Sequence, residues 1–169
     1  MLILHPFLVT ARVIGLVMKS PGREVLVKDV DAFIFDNRMP VMVLHLEDGR
    51  DFTMVNVEFL VVLALYKRNA GSEAIRRLID DDRLTAFDFI ASSNVLVETL
   101  KNCIDSVVIA ELNERRGTYT AYIRLKKDGI VVEKPMIPSH AVYLALVANK
   151  PIYVNENLLE DTRNFEEPG

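Results

Sequence analysis

The sequence predicts an α+β fold, and three observations carry that prediction. Strand-type segments crowd the first half, helical spacing takes over near Asn56, and a second β region follows from Ser106. Strands and helices therefore alternate unevenly, which suits α+β packing better than a regular parallel α/β sheet.

In the first half, Phe7–Lys19 is rich in Val, Ile and Leu and is broken by Ser20-Pro21-Gly22. Glu24–Val30 alternates, with Val25 and Val27 on one face and Leu26 and Lys28 on the other. Ala32–Phe35 reads as a separate short strand before a turn at Asp36-Asn37. Val41–Glu47 leads into an Asp48-Gly49 hairpin turn, and Phe52–Val55 returns. The result is a meander of about five strands.

Asn56 is the expected N-cap of the next element, with Glu58 in its first turn. Phe59, Val62, Leu63 and Tyr66 then recur at helical spacing. Gly71 stops that helix, and Ser72–Ile79 forms a short second one. Thr85-Ala86-Phe87-Asp88 fits a capping box with Asp in place of the usual Glu. The helix it opens carries Phe89 and Ile90, and continues or restarts through Val95–Asn102.

Ser106–Leu112 pairs with Thr118–Leu125 across Arg115-Arg116-Gly117. In the second of these strands Tyr119, Ala121, Ile123 and Leu125 share a face, and Thr120, Tyr122 and Arg124 take the other. Asp128-Gly129 turns into Ile130–Met136. Pro138-Ser139-His140-Ala141 then opens an apolar helix, with the Ser139 hydroxyl as the expected cap. Asn149 and Pro151 end it, Ile152–Val154 runs as a buried strand, and a last turn is expected at Asn157–Arg163. Residues 1–161 are expected to form a single domain and 162–169 a tail, with no internal repeat or linker.

Half of the 169 residues are hydrophobic. That content favours a buried homo-oligomer interface, a dimer as first expectation, over a membrane span, because the longest apolar runs fall well short of the ~20 residues a spanning helix needs. Cys103 is the only cysteine, which excludes an intrachain disulfide and a cysteine zinc site and fits a cytoplasmic protein. The net charge of −4 is unlike the basic balance of a dedicated nucleic-acid binder. The basic pairs Lys67-Arg68, Arg76-Arg77, Arg115-Arg116 and Lys126-Lys127 are scattered and read as solvated surface. The chain shows no Gly-rich phosphate loop, no Gly-x-Ser-x-Gly elbow and no His-Glu-x-x-His.

Three motifs resemble those of the bifunctional nuclease domain family. Val41–Val57 followed by Glu58 is similar to the family's strand, Asp-Gly, strand and Glu-Ala, with Phe59 in place of Ala. The family's Arg-Pro-x-Thr-His-Asp-Leu maps onto Arg83-Leu84-Thr85-Ala86-Phe87-Asp88-Phe89, which keeps Arg83 and Asp88 and carries Phe87 for His. The family's Arg-Pro-Ser-Asp-Ala helix start maps onto residues 137–141, which keep Pro138, Ser139 and Ala141 but carry Ile137 for Arg and His140 for Asp. The resemblance spans Phe7 to Asp161 and implies an α+β fold, dimers or higher oligomers, and hydrolysis of RNA or DNA phosphodiesters with a divalent metal.

On that reading the helix starts carrying Glu58, Asp88 and His140 converge on a catalytic site. Glu58 and Asp88 would hold Mg²⁺ or Mn²⁺, which prefer oxygen ligands, and Arg83 and Ser139 would bind substrate, Arg83 by pairing with phosphate. The same residues have a plainer reading. Carboxylates in a first helical turn are stabilised by the dipole, by about 0.3–1 kcal/mol, so Glu58 and Asp88 also serve as capping residues. The dipole disfavours a positive charge on His140, which leaves a base, a transition-metal ligand or a polar aromatic plug. His5 and His45 belong to no constellation, and His45 is expected to face solvent. Tyr119 and Tyr122 read as ordinary strand packing rather than a base-stacking platform.

Two functions follow. One is a metal-dependent nuclease. The other is a catalytically degenerate relative that serves as a homo-oligomeric binding or regulatory module. A rim of Arg83, Arg76, Arg77 and Lys134 around carboxylates favours phosphate chemistry, whereas a mainly apolar pocket beneath the helix starts favours a small molecule or a protein.

Overall fold

The computed structural model describes residues 22–36, 38–70 and 83–161. The expected strand Phe7–Lys19, the Gly71 stop, the helix Ser72–Ile79 and the tail lie outside them. Among the described residues the chain runs β1 (Glu24–Phe35), β2 (Met39–Leu46), β3 (Asp51–Val55), α1 (Phe59–Ala70), α2 (Ala86–Ser92) and α3 (Asn94–Cys103). It continues as β4 (Ile104–Asn113), β5 (Thr118–Lys127), β6 (Ile130–Met136), α4 (Pro138–Ala148), β7 (Ile152–Asn155) and α5 (Asn157–Asp161). The α+β class is as the sequence predicts.

The strands form one seven-stranded sheet, ordered β3-β2-β1-β7-β4-β5-β6. Every neighbouring pair is antiparallel except β4 and β7, which run parallel. The parallel step follows from α4, which carries the chain back over the sheet before Ile152. The two short strands expected at Glu24–Val30 and Ala32–Phe35 are one strand, with a register shift between Val27 and Asp29. Asp31 does not break it, because residues 29–35 pair continuously with His45 back to Met39.

The core lies between the sheet and α1, α3 and α4. Met42, Leu44, Leu46, Phe52 and Met54 bury one face of the β2–β3 hairpin. Ile104, Val107, Ile109, Ala121 and Ile123 do the same for β4 and β5. Burying a side chain of this kind contributes about 1.5–3 kcal/mol. Helix α4 is buried almost all round, and Ala141, Ala145 and Ala148 let it approach its neighbours closely.

Helix boundaries show which local signals held. Thr85 and Asp88 form the expected capping box. Ser93 ends α2 with its N–H and caps α3 with its hydroxyl, so the helix restarts there. Asn149 ends α4 in the left-handed conformation, at φ 53°. Two expected caps are displaced. Asn56 has φ 53°, whereas an N-cap needs extended backbone, so Glu58 takes the cap position of α1 instead. Its carbonyl accepts from Val61 N–H at 3.1 Å and Val62 N–H at 3.3 Å, and its Oε1 accepts from Leu60 N–H at 3.5 Å. Ser139 does not cap α4. Pro138, with its preset φ and missing N–H, takes the first helical position, which makes Ile137 the cap residue and puts Ser139 inside the turn.

Among the described residues, no helix is long and apolar enough to cross a membrane.

Candidate functional site

A groove of about 880 Å³ opens where β3 hands over to α1, β5 begins and β6 runs into α4. Glu58, Ser139 and His140 line it; Asp88 and Arg83 do not. Its walls include Val55, Val57, Phe59, Met136 and Ile137, with Thr53, Thr118 and Thr120 as neutral polar groups. Glu58 is the one carboxylate among the described lining residues, and none of them is Lys or Arg. Of the expected rim residues, Arg76 and Arg77 lie outside the described residues, and Lys134 is an exposed residue of β6.

The start of α4 presents polar groups without partners to this end of the molecule. Ile137 offers no side-chain cap. Ser139 is only 2% exposed, and its hydroxyl has no hydrogen-bond partner. His140 Nε2 is also buried and unpartnered. The ring of His140 packs edge-on to Phe87, with centroids 5.1 Å apart, and Phe87 packs in the same manner on Tyr143 at 5.2 Å. His140 therefore sits as an aromatic plug, one of the roles its position allows.

Asp88 is committed elsewhere. Its Oδ2 accepts from Lys67 Nζ at 2.8 Å, Thr85 N–H at 3.0 Å and Thr85 Oγ1 at 2.9 Å. Burial alone would raise its pKa, but these donors together outweigh burial and hold the carboxyl below its ordinary range. Tyr143, buried beneath it, donates its hydroxyl to the Phe87 carbonyl at 2.6 Å. Burial, together with the Asp88 charge, pushes that phenol up to about 12. Among the described residues no three His, Cys, Asp or Glu side chains are grouped to hold a metal ion. With Asp88 Oδ2 holding three donors, the pair Glu58 and Asp88 does not fit Mg²⁺ or Mn²⁺ in this arrangement, and no step below is routed through a metal.

Tyr119 lines the groove but packs edge-on to Phe52 at 5.0 Å, as ordinary strand packing requires. His45 does face solvent, but it belongs to a constellation that the sequence reading missed. Its Nδ1 lies 2.8 Å from Asp51 and its Nε2 3.0 Å from Asp31, across three adjacent strands. The Asp48-Gly49 hairpin places Asp51 opposite His45 and was the available signal. Asp31 required the β1–β2 register, which local pattern does not give.

A family model described as the bifunctional nuclease domain matches residues 80–167. That span holds the Arg83–Phe89 and Ile137–Ala141 motifs and leaves the Glu58 motif outside. A comparison with curated proteins gives no match. The family suggests a nuclease-like or nucleic-acid-related function. Taken with the capping box and the α4 start where its motifs fall, the match over more than half of the sequence places this chain in the bifunctional nuclease domain family.

Proposed function

We propose that this chain is a binding module built on the bifunctional nuclease fold, and that its groove takes a ligand with an apolar body and hydrogen-bond acceptors. The observation that carries this reading is the groove lining: apolar walls, unpartnered polar side-chain atoms at the α4 start, and no Lys or Arg among the described lining residues. A phosphodiester strand carries a charge on every linkage and needs cations to bind. An uncharged carbonyl ligand needs only donors, which the helix start supplies. Glu58 at the rim further favours a neutral or cationic ligand over an anion.

A second reading keeps the nuclease activity that the family suggests. It is favoured by Glu58, a carboxylate exposed on the groove beside a helix start whose dipole attracts phosphate. On this reading Glu58 acts from the groove without Asp88, whose Oδ2 is held by Lys67 and Thr85.

The ring resonances of His140 report on the groove directly. Addition of N-acetyl amino-acid amides is expected to shift them, while a trinucleotide leaves them in place. Shifts from the trinucleotide alone overturn the binding reading.

A further inference from the structure

The groove carries two unlike polar groups. One is the start of α4, where Ala141 N–H gives the first bond of the helix, to the Ile137 carbonyl at 3.0 Å. The main-chain N–H groups of Ser139 and His140 come before that bond and have no carbonyl of their own helix to reach. A capping side chain would satisfy one of them, but Ile137 has none to offer. The Ser139 hydroxyl beside them is buried and unpartnered as well, and it lines the groove. Buried polar groups in folded chains find partners, so this cluster of donors points to an acceptor that the described chain does not supply.

The other polar group is Glu58. Among the described residues its carboxylate takes one long hydrogen bond, from Leu60 N–H to Oε1 at 3.5 Å, and no ion pair. With no Lys or Arg among the described lining residues, the groove holds no counter-charge of its own for it. The lining also presents apolar side chains to solvent: Val55 is 55% exposed, Phe59 42% and Ile137 58%.

The groove is therefore complementary to a cation, a carbonyl oxygen and an apolar side chain held together in one ligand. The first residue of a peptide carries all three. A free amino acid carries them too, but its carboxylate would enter a lining whose one charged group repels it. A volume of about 880 Å³ also suits a ligand larger than one amino acid.

We infer that the groove takes the free N-terminus of a peptide whose first residue is apolar. The α-ammonium sits on the Glu58 carboxylate, the first carbonyl oxygen accepts from the α4 start, and the side chain lies against Val55, Phe59 and Ile137. This assignment rests on the groove being a binding site for carbonyl ligands, and adds to it the charge of the ligand and the chemistry that recognises it.

Titrations at about pH 6.5, where an α-amino group is protonated, test it through the His140 ring resonances. The probes are leucinamide, the peptide Leu-Gly-Gly, N-acetyl-leucinamide and free leucine. Leucinamide and Leu-Gly-Gly are expected to bind about fivefold tighter than N-acetyl-leucinamide, which differs from leucinamide by the lost charge. Glu58→Gln keeps an oxygen for Leu60 N–H and is expected to abolish that advantage while leaving the affinity for N-acetyl-leucinamide unchanged. Free leucine is expected to bind more weakly than leucinamide. Binding of N-acetyl-leucinamide with no advantage for the free amines overturns the inference and leaves the groove reading standing, as does an advantage that survives Glu58→Gln. Tightest binding by free leucine puts an amino acid in the groove and overturns the choice of a peptide. No binding by any probe removes the groove reading and this inference together.

Discussion

Phe87 and His140 pack edge to face, with ring centroids 5.1 Å apart. They are the positions where the family motifs carry His and Asp. The two departures from the motifs are therefore one event in space. In this chain the two positions form an aromatic contact, which Phe87 extends to Tyr143.

The contact makes the two positions energetically coupled. Phe87→His and His140→Asp are each expected to destabilise the fold, the first by losing two ring contacts and the second by placing a carboxylate against Phe87. The double variant is expected to be more stable than the sum of the singles by about 0.5–3 kcal/mol. Denaturant titration of all four proteins measures this, and strict additivity counts against the coupling.

Asp88 is a structural residue here. Asp88→Asn is expected to cost about 1–2 kcal/mol, because it removes the charge from a hydrogen-bonded, largely buried group. The pH dependence follows from the depressed pKa. Stability from Asp88 is fully present above the ordinary value of 3.8 and is lost as pH falls through the lower folded-state value. Acid unfolding of wild type and Asp88→Asn is expected to converge below that range. A gap that persists in strong acid excludes the charge as its source.

Ser139 separates the two descriptions of the α4 start. If its hydroxyl capped the helix, Ser139→Ala would cost about 1 kcal/mol. The structure gives that hydroxyl no partner, so the substitution is expected to leave the melting temperature unchanged or to raise it slightly. A clear drop in melting temperature identifies a partner for the hydroxyl.

His45 responds to pH in the opposite direction from Asp88. Hydrogen bonds to Asp31 and then Asp51 raise its pKa above the ordinary 6.5, more than desolvation lowers it. Its contribution is therefore complete below the ordinary value and is lost as pH rises through the raised one. An NMR titration is expected to show the raised pKa, and Asp31→Asn to bring it partway down. A wild-type midpoint at or below 6.5 means that the three-strand contact does not persist in solution.

Local chemistry was legible in the sequence. The capping box at Thr85 and Asp88, the Asp48-Gly49 and Asp128-Gly129 turns and the Asn149 stop each depend on residues close in the chain. What the sequence hid depends on tertiary choice. Asn56 and Ser139 are both plausible caps, but a left-handed backbone at one and Pro138 before the other moved each helix start. The groove was legible only in part. The Glu58, Ser139 and His140 helix starts meet there, but the partnership of Asp88 with Lys67 joins residues on separate helices, and no spacing rule reports it.

The most direct measurement is cleavage of labelled single-stranded RNA and DNA with Mg²⁺, Mn²⁺ or chelator, by wild type and Glu58→Ala in parallel. Glu58 is exposed, so its substitution tests chemistry without unfolding the chain. The binding reading expects no cleavage above the chelator blank from either protein. Metal-dependent cleavage by wild type that Glu58→Ala abolishes would contradict it and place phosphodiester hydrolysis in the groove.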